Sequence, residues 1–274
     1  MKASLAFLVV LAQATFSSRV DLVRVDVLVT DNGKPVLGLT PADFEILDNG
    51  IAQQAELVSF DQVPLNVVLV FDMSDSIEGE RRDKLFEGAS ALLGGLKPDD
   101  QSALVTFSHV VDRGAKLTKD VAAVRAALER AEAIGETALV DGAFAGMLVG
   151  ESDVGRGLLI VFSDGVDTSS WLPPASVLDT ARRSGVVAYG VSVRSRVRPE
   201  FLEELTSLTG GRLFEVERTQ NLESVFLGVL EEFRYRYLVS YTPRGVTRGG
   251  WHQLDVRIKG RRTTVKARPG YLGS

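Results

Sequence analysis

The spacing of apolar residues along the chain changes period twice. Val23, Val25, Val27 and Val29 alternate with residues such as Arg24 and Asp26, the period-two pattern of a half-buried strand. Asp31-Asn32-Gly33 and Asp48-Asn49-Gly50 carry tight-hairpin chemistry, and the second would join Phe44–Leu47 to Ile51–Gln53. Thr40-Pro41-Ala42-Asp43 reads as a single capped turn between them. Residues 20–62 therefore predict a small antiparallel unit. At Leu65 the alternation gives way to Leu65-Asn66-Val67-Val68-Leu69-Val70-Phe71, nearly all apolar, as in a strand covered on both faces. Comparable runs recur at Ala103–Phe107, Leu158–Phe162 and Val186–Val191. Helical periodicity fills the intervals, at Arg82–Leu96, Asp120–Ala133, Ala138–Val149, Pro174–Arg183, Glu200–Leu208 and Asn221–Phe233. Such alternation predicts, over residues 63–233, an α/β fold with a doubly wound, mostly parallel sheet and helices on both faces. After Tyr235 the period-two pattern returns in Tyr237–Tyr241 and His252–Ile258. Neither flank has enough strands to stand alone. Residues 20–62 and 235–274 are therefore expected to pair as one small antiparallel β-domain around the inserted α/β domain. The alternative is that both flanks simply cap the central domain.

Composition narrows the chemistry. With 274 residues, 45% hydrophobic and 24% charged, the chain is globular and long enough to bury a core. It has no cysteine, which removes disulfides, thiolate metal sites and thiol nucleophiles. Its two histidines, His109 and His252, read as a loop residue and a β-face residue without evident partners. A net charge of -5 argues against nucleic acid as a ligand, which needs a basic face. Met1 to Ala14 carries Lys2, an apolar run and an A-x-A-like end, and reads as a short signal peptide; a buried first strand or helix is the alternative. Its apolar stretch is shorter than the roughly 20 residues that span a bilayer. The expectation is an exported protein, periplasmic, cell-surface or extracellular, with no integral membrane segment in the mature chain. Eight Lys or Arg residues between Arg244 and Arg268 face one acidic residue, Asp255, and read as a charged outer face protecting edge strands.

The candidate chemistry lies at strand ends. Asp72-Met73-Ser74-Asp75-Ser76 follows the first buried run, Ser163-Asp164-Gly165 follows a later one, and Gly135-Glu136-Thr137 precedes a helix. In doubly wound sheets ligands bind outside the carboxyl ends of the strands, at the point where strand order reverses. If the order is 3-2-1-4-5-6, the strands ending in Asp72 and Asp164 are neighbours and these oxygens converge. An all-oxygen set of this kind suits a hard divalent cation, Mg²⁺ or else Mn²⁺ or Ca²⁺. Each residue also has a plainer reading. Asp72, Asp164, Ser74, Ser76 and Thr137 are all residue types that cap helices, and Asp75 is expected to face solvent. Asp141, four residues after Thr137, reads either as an acceptor supporting a ligand or as a first-turn carboxylate favoured by the helix dipole. Asp167 and Trp171 read as rim or loop residues.

In this order and at these places, the five residues resemble the metal-ion-dependent adhesion site of von Willebrand factor type A domains, over roughly residues 63–233. The resemblance implies a Rossmann-like fold and metal ligation by Asp72, Ser74, Ser76, Thr137 and Asp164, with the serine hydroxyls bound directly. It implies a non-catalytic interaction module whose ion recruits an Asp or Glu side chain of a protein partner, with a shift of the last helix, near Asn221–Phe233, as the associated switch. Val27–Asp31, Asp43–Gly50 and Val265–Tyr271 further resemble a bacterial exported subfamily. The rival readings are an exported structural module whose metal only stabilises the fold, and an enzyme. Catalysis is disfavoured because Ser74 stands where a phosphatase of the haloacid-dehalogenase type would need a second carboxylate. No Gly-rich nucleotide loop or G-x-S-x-G elbow is present either.

Overall fold

The computed structural model describes residues 22–59, 62–152, 154–164, 166–193 and 197–273. The Met1–Ala14 segment expected as a signal peptide lies outside the described residues. Among the described residues no helix is long and apolar enough to cross a membrane.

The amino-terminal strands are β1 (Val23–Asp31), β2 (Lys34–Pro35), β3 (Phe44–Asp48), β4 (Ile51–Gln53) and β5 (Leu57–Ser59). Both expected hairpin turns form. Asn32 and Gly33 have φ of 49° and 78°, and Asn49 and Gly50 have 49° and 79°, the left-handed pair that a two-residue turn needs to match strand twist. Thr40 opens a single 3₁₀ turn, Pro41–Asp43, closed by a capping box with Asp43.

The central part contains β6 (Leu65–Asp72), α1 (Glu80–Gly94), β7 (Gln101–Phe107), β8 (Val111–Thr118), α2 (Val121–Arg130) and α3 (Leu139–Gly150). It continues through β9 (Arg156–Ser163), α4 (Pro174–Arg183), β10 (Val187–Val193), α5 (Glu200–Thr209), β11 (Leu213–Val216) and α6 (Leu222–Arg234). Its sheet runs β11-β10-β9-β6-β7-β8, parallel throughout except for β8, which pairs antiparallel with β7. This is the 3-2-1-4-5-6 order, so β6 and β9 are neighbours and strand order reverses between them. Alternate residues of β6 feed two cores. Leu65, Val67, Leu69 and Phe71 pack beneath α1 and α6, with Leu85, Leu92, Phe226 and Phe233. Val68 and Val70 pack beneath α3, α4 and α5, with Met147, Val177 and Leu205.

Helix α3 lies unusually close to the sheet because it presents glycines to it. A Cβ on Gly142 would fall 2.4 Å from Phe107 Cδ1, and one on Gly146 would fall 2.3 Å from Val70 Cγ2. The helix that follows Thr137 is thereby seated directly on β6 and β7.

The carboxyl-terminal strands are β12 (Tyr237–Tyr241), β13 (Gly250–Ile258), β14 (Thr264–Lys266) and β15 (Gly270–Gly273). They pair with the amino-terminal ones, β1 with β12 and β14, and β3 with β13, giving sheets ordered β14-β1-β12-β5 and β15-β13-β3-β4 around a third core. The fold is thus mixed α/β, with a mostly parallel central sheet and antiparallel sheets built from both chain ends.

Two sequence expectations are corrected here. His252 has partners: its Nδ1 lies 2.8 Å from Asp48 Oδ1 and its ring stacks on Tyr271. The Tyr241 and Tyr271 hydroxyls both donate to Asp48 Oδ2 at 2.9 Å. Burial, with the Asp48 carboxylate beside them, pushes both phenols well above their ordinary range. The network joins residues more than 190 positions apart, and spacing carries no trace of it. Nor is Arg268 part of a charged outer face. It is folded inward against the end of α4, donating to the carbonyls of Ser184 and Arg182 at 2.7 Å, and burial brings its guanidinium down to about 10.

Candidate metal centre

The β6–β9 register pairs Phe71 with Phe162, which brings Asp72 beside Ser163 at the carboxyl edge of the sheet. Asp72 is fully buried. Its Oδ2 accepts the Ser163 hydroxyl at 2.6 Å and its Oδ1 accepts the Ser74 amide at 2.9 Å. Burial pushes the Asp72 carboxyl up from its ordinary value, against the pull of these donors. Ser74 and Ser76 hydroxyls are 3.1 Å apart, and Ser76 donates to Asp164 Oδ1 at 2.6 Å. Asp72, Ser74, Ser76 and Asp164 therefore form one connected line of oxygen-bearing residues across two adjacent strand ends, its first link made by the Ser74 amide and the others by hydroxyls.

Thr137 sits on the neighbouring loop, buried and tied to both others through backbone. The amides of Asp75 and Ile134 donate to Gly135 O at 3.0 Å and Met73 O at 2.8 Å, joining this loop to the Asp72 loop. On its other side Thr168 and Ser169 donate to Thr137 O at 2.8 and 3.2 Å, and the Thr137 amide donates to Thr168 Oγ1 at 3.1 Å. The structure joins Thr137 to the other loops without a side-chain hydrogen bond to the four connected residues.

The helix-cap alternatives do not hold. Gly79 is the N-cap of α1 and Ala138 that of α3, neither with a side-chain cap, so Ser74, Ser76 and Thr137 lie outside the capping positions. Asp75 is exposed as expected, yet its Oδ1 accepts the Gly135 amide at 2.6 Å and latches two loops together. Asp141 accepts the backbone amides of Trp171 and Leu172, both at 2.9 Å. It fixes a loop, and holds Trp171 with 91% of its surface exposed. Asp167 accepts the Val140 amide at 3.2 Å and the Ser170 hydroxyl, at the first turn of α3. His109 is an exposed loop residue packed over Gly135.

Sequence reasoning missed Ser163 and Arg81. Ser163 stands next to Asp164 in the quoted string, and a sheet register was needed to show its contact. Arg81, in the first turn of α1, pairs with Asp164 Oδ2. Among the described residues no group of three His, Cys, Asp or Glu side chains is gathered. An ion here would thus need the hydroxyls as well as the two carboxylates, a donor chemistry that fits a hard divalent cation and not a soft one.

The family model of the von Willebrand factor type A domain matches residues 66–227. A solved von Willebrand factor type A protein from Catenulispora acidiphila is similar in fold, with a TM-score of 0.56 at 14% identity over 89% of this chain and 75% of that one. Proximal thread matrix protein 1 from the mussel byssus, in a structure described as having a zinc-occupied MIDAS motif, gives a TM-score of 0.57 at 19% identity, over 66% of this chain and 48% of that one. In sequence, an uncharacterized protein from Synechocystis is 32% identical over 85 residues, 30% of this chain and 20% of that protein. The chain thus spans about half of the mussel protein and a fifth of the Synechocystis one.

Proposed function

The chain belongs to the von Willebrand factor type A domain family, and we propose that it is a non-catalytic module that holds a divalent cation on Asp72, Ser74, Ser76, Thr137 and Asp164 and recruits a carboxylate of a protein partner. The observation that carries the reading is the hydrogen-bonded line of oxygen-bearing residues from Asp72 through Ser74 and Ser76 to Asp164 at the strand-order reversal. A bound cation would supply an electrophilic centre for an Asp or Glu side chain. The chain's own residues do the rest. Ser163 and the Ser74 amide orient Asp72, Asp75 locks the Thr137 loop against the Asp72 loop, and Asp141 presents Trp171 as an apolar contact at the rim. Mg²⁺ is the ion of choice in this reading, and the Met1–Ala14 pattern makes the site an exported one.

The test compares thermal unfolding of wild type and Ser74→Ala/Ser76→Ala in EDTA, Mg²⁺, Mn²⁺ and Ca²⁺. Ion at ten times Kd should stabilise wild type by about 1.4 kcal/mol and leave the double variant unmoved. An equal response in both would remove the site.

The burial of Asp72 favours a second reading, in which the ion only neutralises a buried carboxylate and holds the loops. The two are separated with Mn²⁺-loaded protein, whose effect on water proton relaxation reports exchangeable water on the ion. Under recruitment, a short peptide with one Asp lowers that relaxation and its Asn counterpart does not. Under the stabilising reading neither peptide acts.

A further inference from the structure

Asp164 has a side chain only 2% exposed, and its counter-charge is the guanidinium of Arg81, whose side chain is 47% exposed. Arg81 Nη1 pairs with Asp164 Oδ2 and also approaches the Ser76 carbonyl at 3.4 Å, while Asp164 Oδ1 is taken by the Ser76 hydroxyl. Both oxygens of Asp164 are therefore engaged, one by a residue of the oxygen line and one by a cation of the chain itself. The position of Arg81 is telling. It lies in the first turn of α1, at the end of a helix where the dipole disfavours positive charge. What holds a flexible, half-exposed guanidinium there is the carboxylate, and leaving for solvent costs an arginine little.

We propose, resting on the metal reading above, that Arg81 is a displaceable internal counter-cation of Asp164: it and the divalent ion are alternatives, and the ion loads only as Arg81 leaves. Arg81 thereby sets the ion affinity of the site. It also keeps the metal-free loops together, supplying the charge that a buried carboxylate otherwise lacks.

The experiment is isothermal titration of the full chain with MgCl₂ and MnCl₂, for wild type, Arg81→Ala, Arg81→Gln and Ser74→Ala/Ser76→Ala, with thermal midpoints of each in EDTA. Arg81→Ala and Arg81→Gln should bind the ion roughly tenfold more tightly, the factor equivalent to about 1.4 kcal/mol of lost competition. Their midpoints in EDTA should fall below wild type, and the gap should close at saturating ion. Equal or weaker ion binding by both Arg81 variants, with wild type binding normally, overturns the proposal alone. In that case Arg81 would be a support of the loaded site. Absence of ion binding in every variant overturns the metal reading and the proposal with it, whereas binding by the Arg81 variants only is the proposal in its strongest form.

Discussion

At the scale of single residues, the site is a set of charges placed where water is scarce. Asp72 is buried, and its carboxyl is held above the ordinary value by desolvation. The sign of the consequence follows from proton linkage. An acid whose folded pKa is raised binds its proton more tightly when folded, so its contribution is most favourable below the unfolded value. That contribution is lost as pH rises through the folded one. At neutral pH, without an ion, Asp72 is thus a net cost. Asp72→Asn keeps the shape and can still accept from Ser74, while its amide can donate to the Ser163 hydroxyl oxygen. It should raise the metal-free midpoint at pH 7 by roughly 2–4 °C, as about 1 kcal/mol does in a chain of this size, flatten the acid-side pH dependence, and abolish the ion-dependent shift. Differential scanning calorimetry in EDTA from pH 4 to 8 measures the first two; a lower midpoint for the variant would contradict the argument. The residue types of the oxygen line were legible because D-x-S-x-S needs only local sequence to be seen. Arg81, Ser163 and the latch of Asp75 onto Gly135 were not, because each acts on a group 60 or more positions away.

At the scale of elements, legibility followed burial. The six helices were marked to within a few residues at each end, and Pro174–Arg183 on both boundaries, because each lays an apolar stripe on the sheet. Strands β8 and β11 went unread. They are the sheet edges, half-exposed along most of their length, so neither a continuous apolar run nor a clean alternation marks them. The seating of α3 was invisible for the opposite reason: what allows it is the absence of side chains. Two glycine substitutions make this measurable. Gly146→Ala drives a methyl into Val70 and Leu159 and should destabilise by about 1–3 kcal/mol through overpacking. Gly228→Ala in α6 has nothing within 4 Å of the new Cβ and should stabilise by about 0.5–1 kcal/mol through helix propensity. Urea denaturation of both variants checks the pair, and stabilisation by both would show that propensity rather than close approach governs α3.

At the scale of the whole molecule, the antiparallel sheets attach at the edge of the central sheet opposite the oxygen line. Arg156 opens β9 and pairs with Asp26 of β1, both buried, with the guanidinium over the Phe233 ring. Arg236, fully buried, donates to Tyr189 Oη at 3.0 Å, Gly210 O at 2.7 Å and Asp26 O at 3.3 Å. Arg268 reaches the carboxyl end of α4. Three arginines thus join the parts through contacts that span 84 positions for Arg268, 130 for Arg156 and up to 210 for Arg236, an arrangement periodicity could not reveal. Asp164 follows the far end of β9, eight residues from Arg156 and about 26 Å away at strand rise. Stability and ion affinity should therefore separate. Arg156→Met leaves Asp26 buried without its cation and should cost about 3–5 kcal/mol, lowering the unfolding midpoint substantially. Mg²⁺ affinity measured on the still-folded variant at low temperature should match wild type within a factor of two, because the altered charge lies more than three Debye lengths, roughly 8 Å each at 0.15 M salt, from the ion site. A large change in affinity would mean instead that β9 transmits strain from one end to the other, and that the antiparallel sheets tune the loop edge through it.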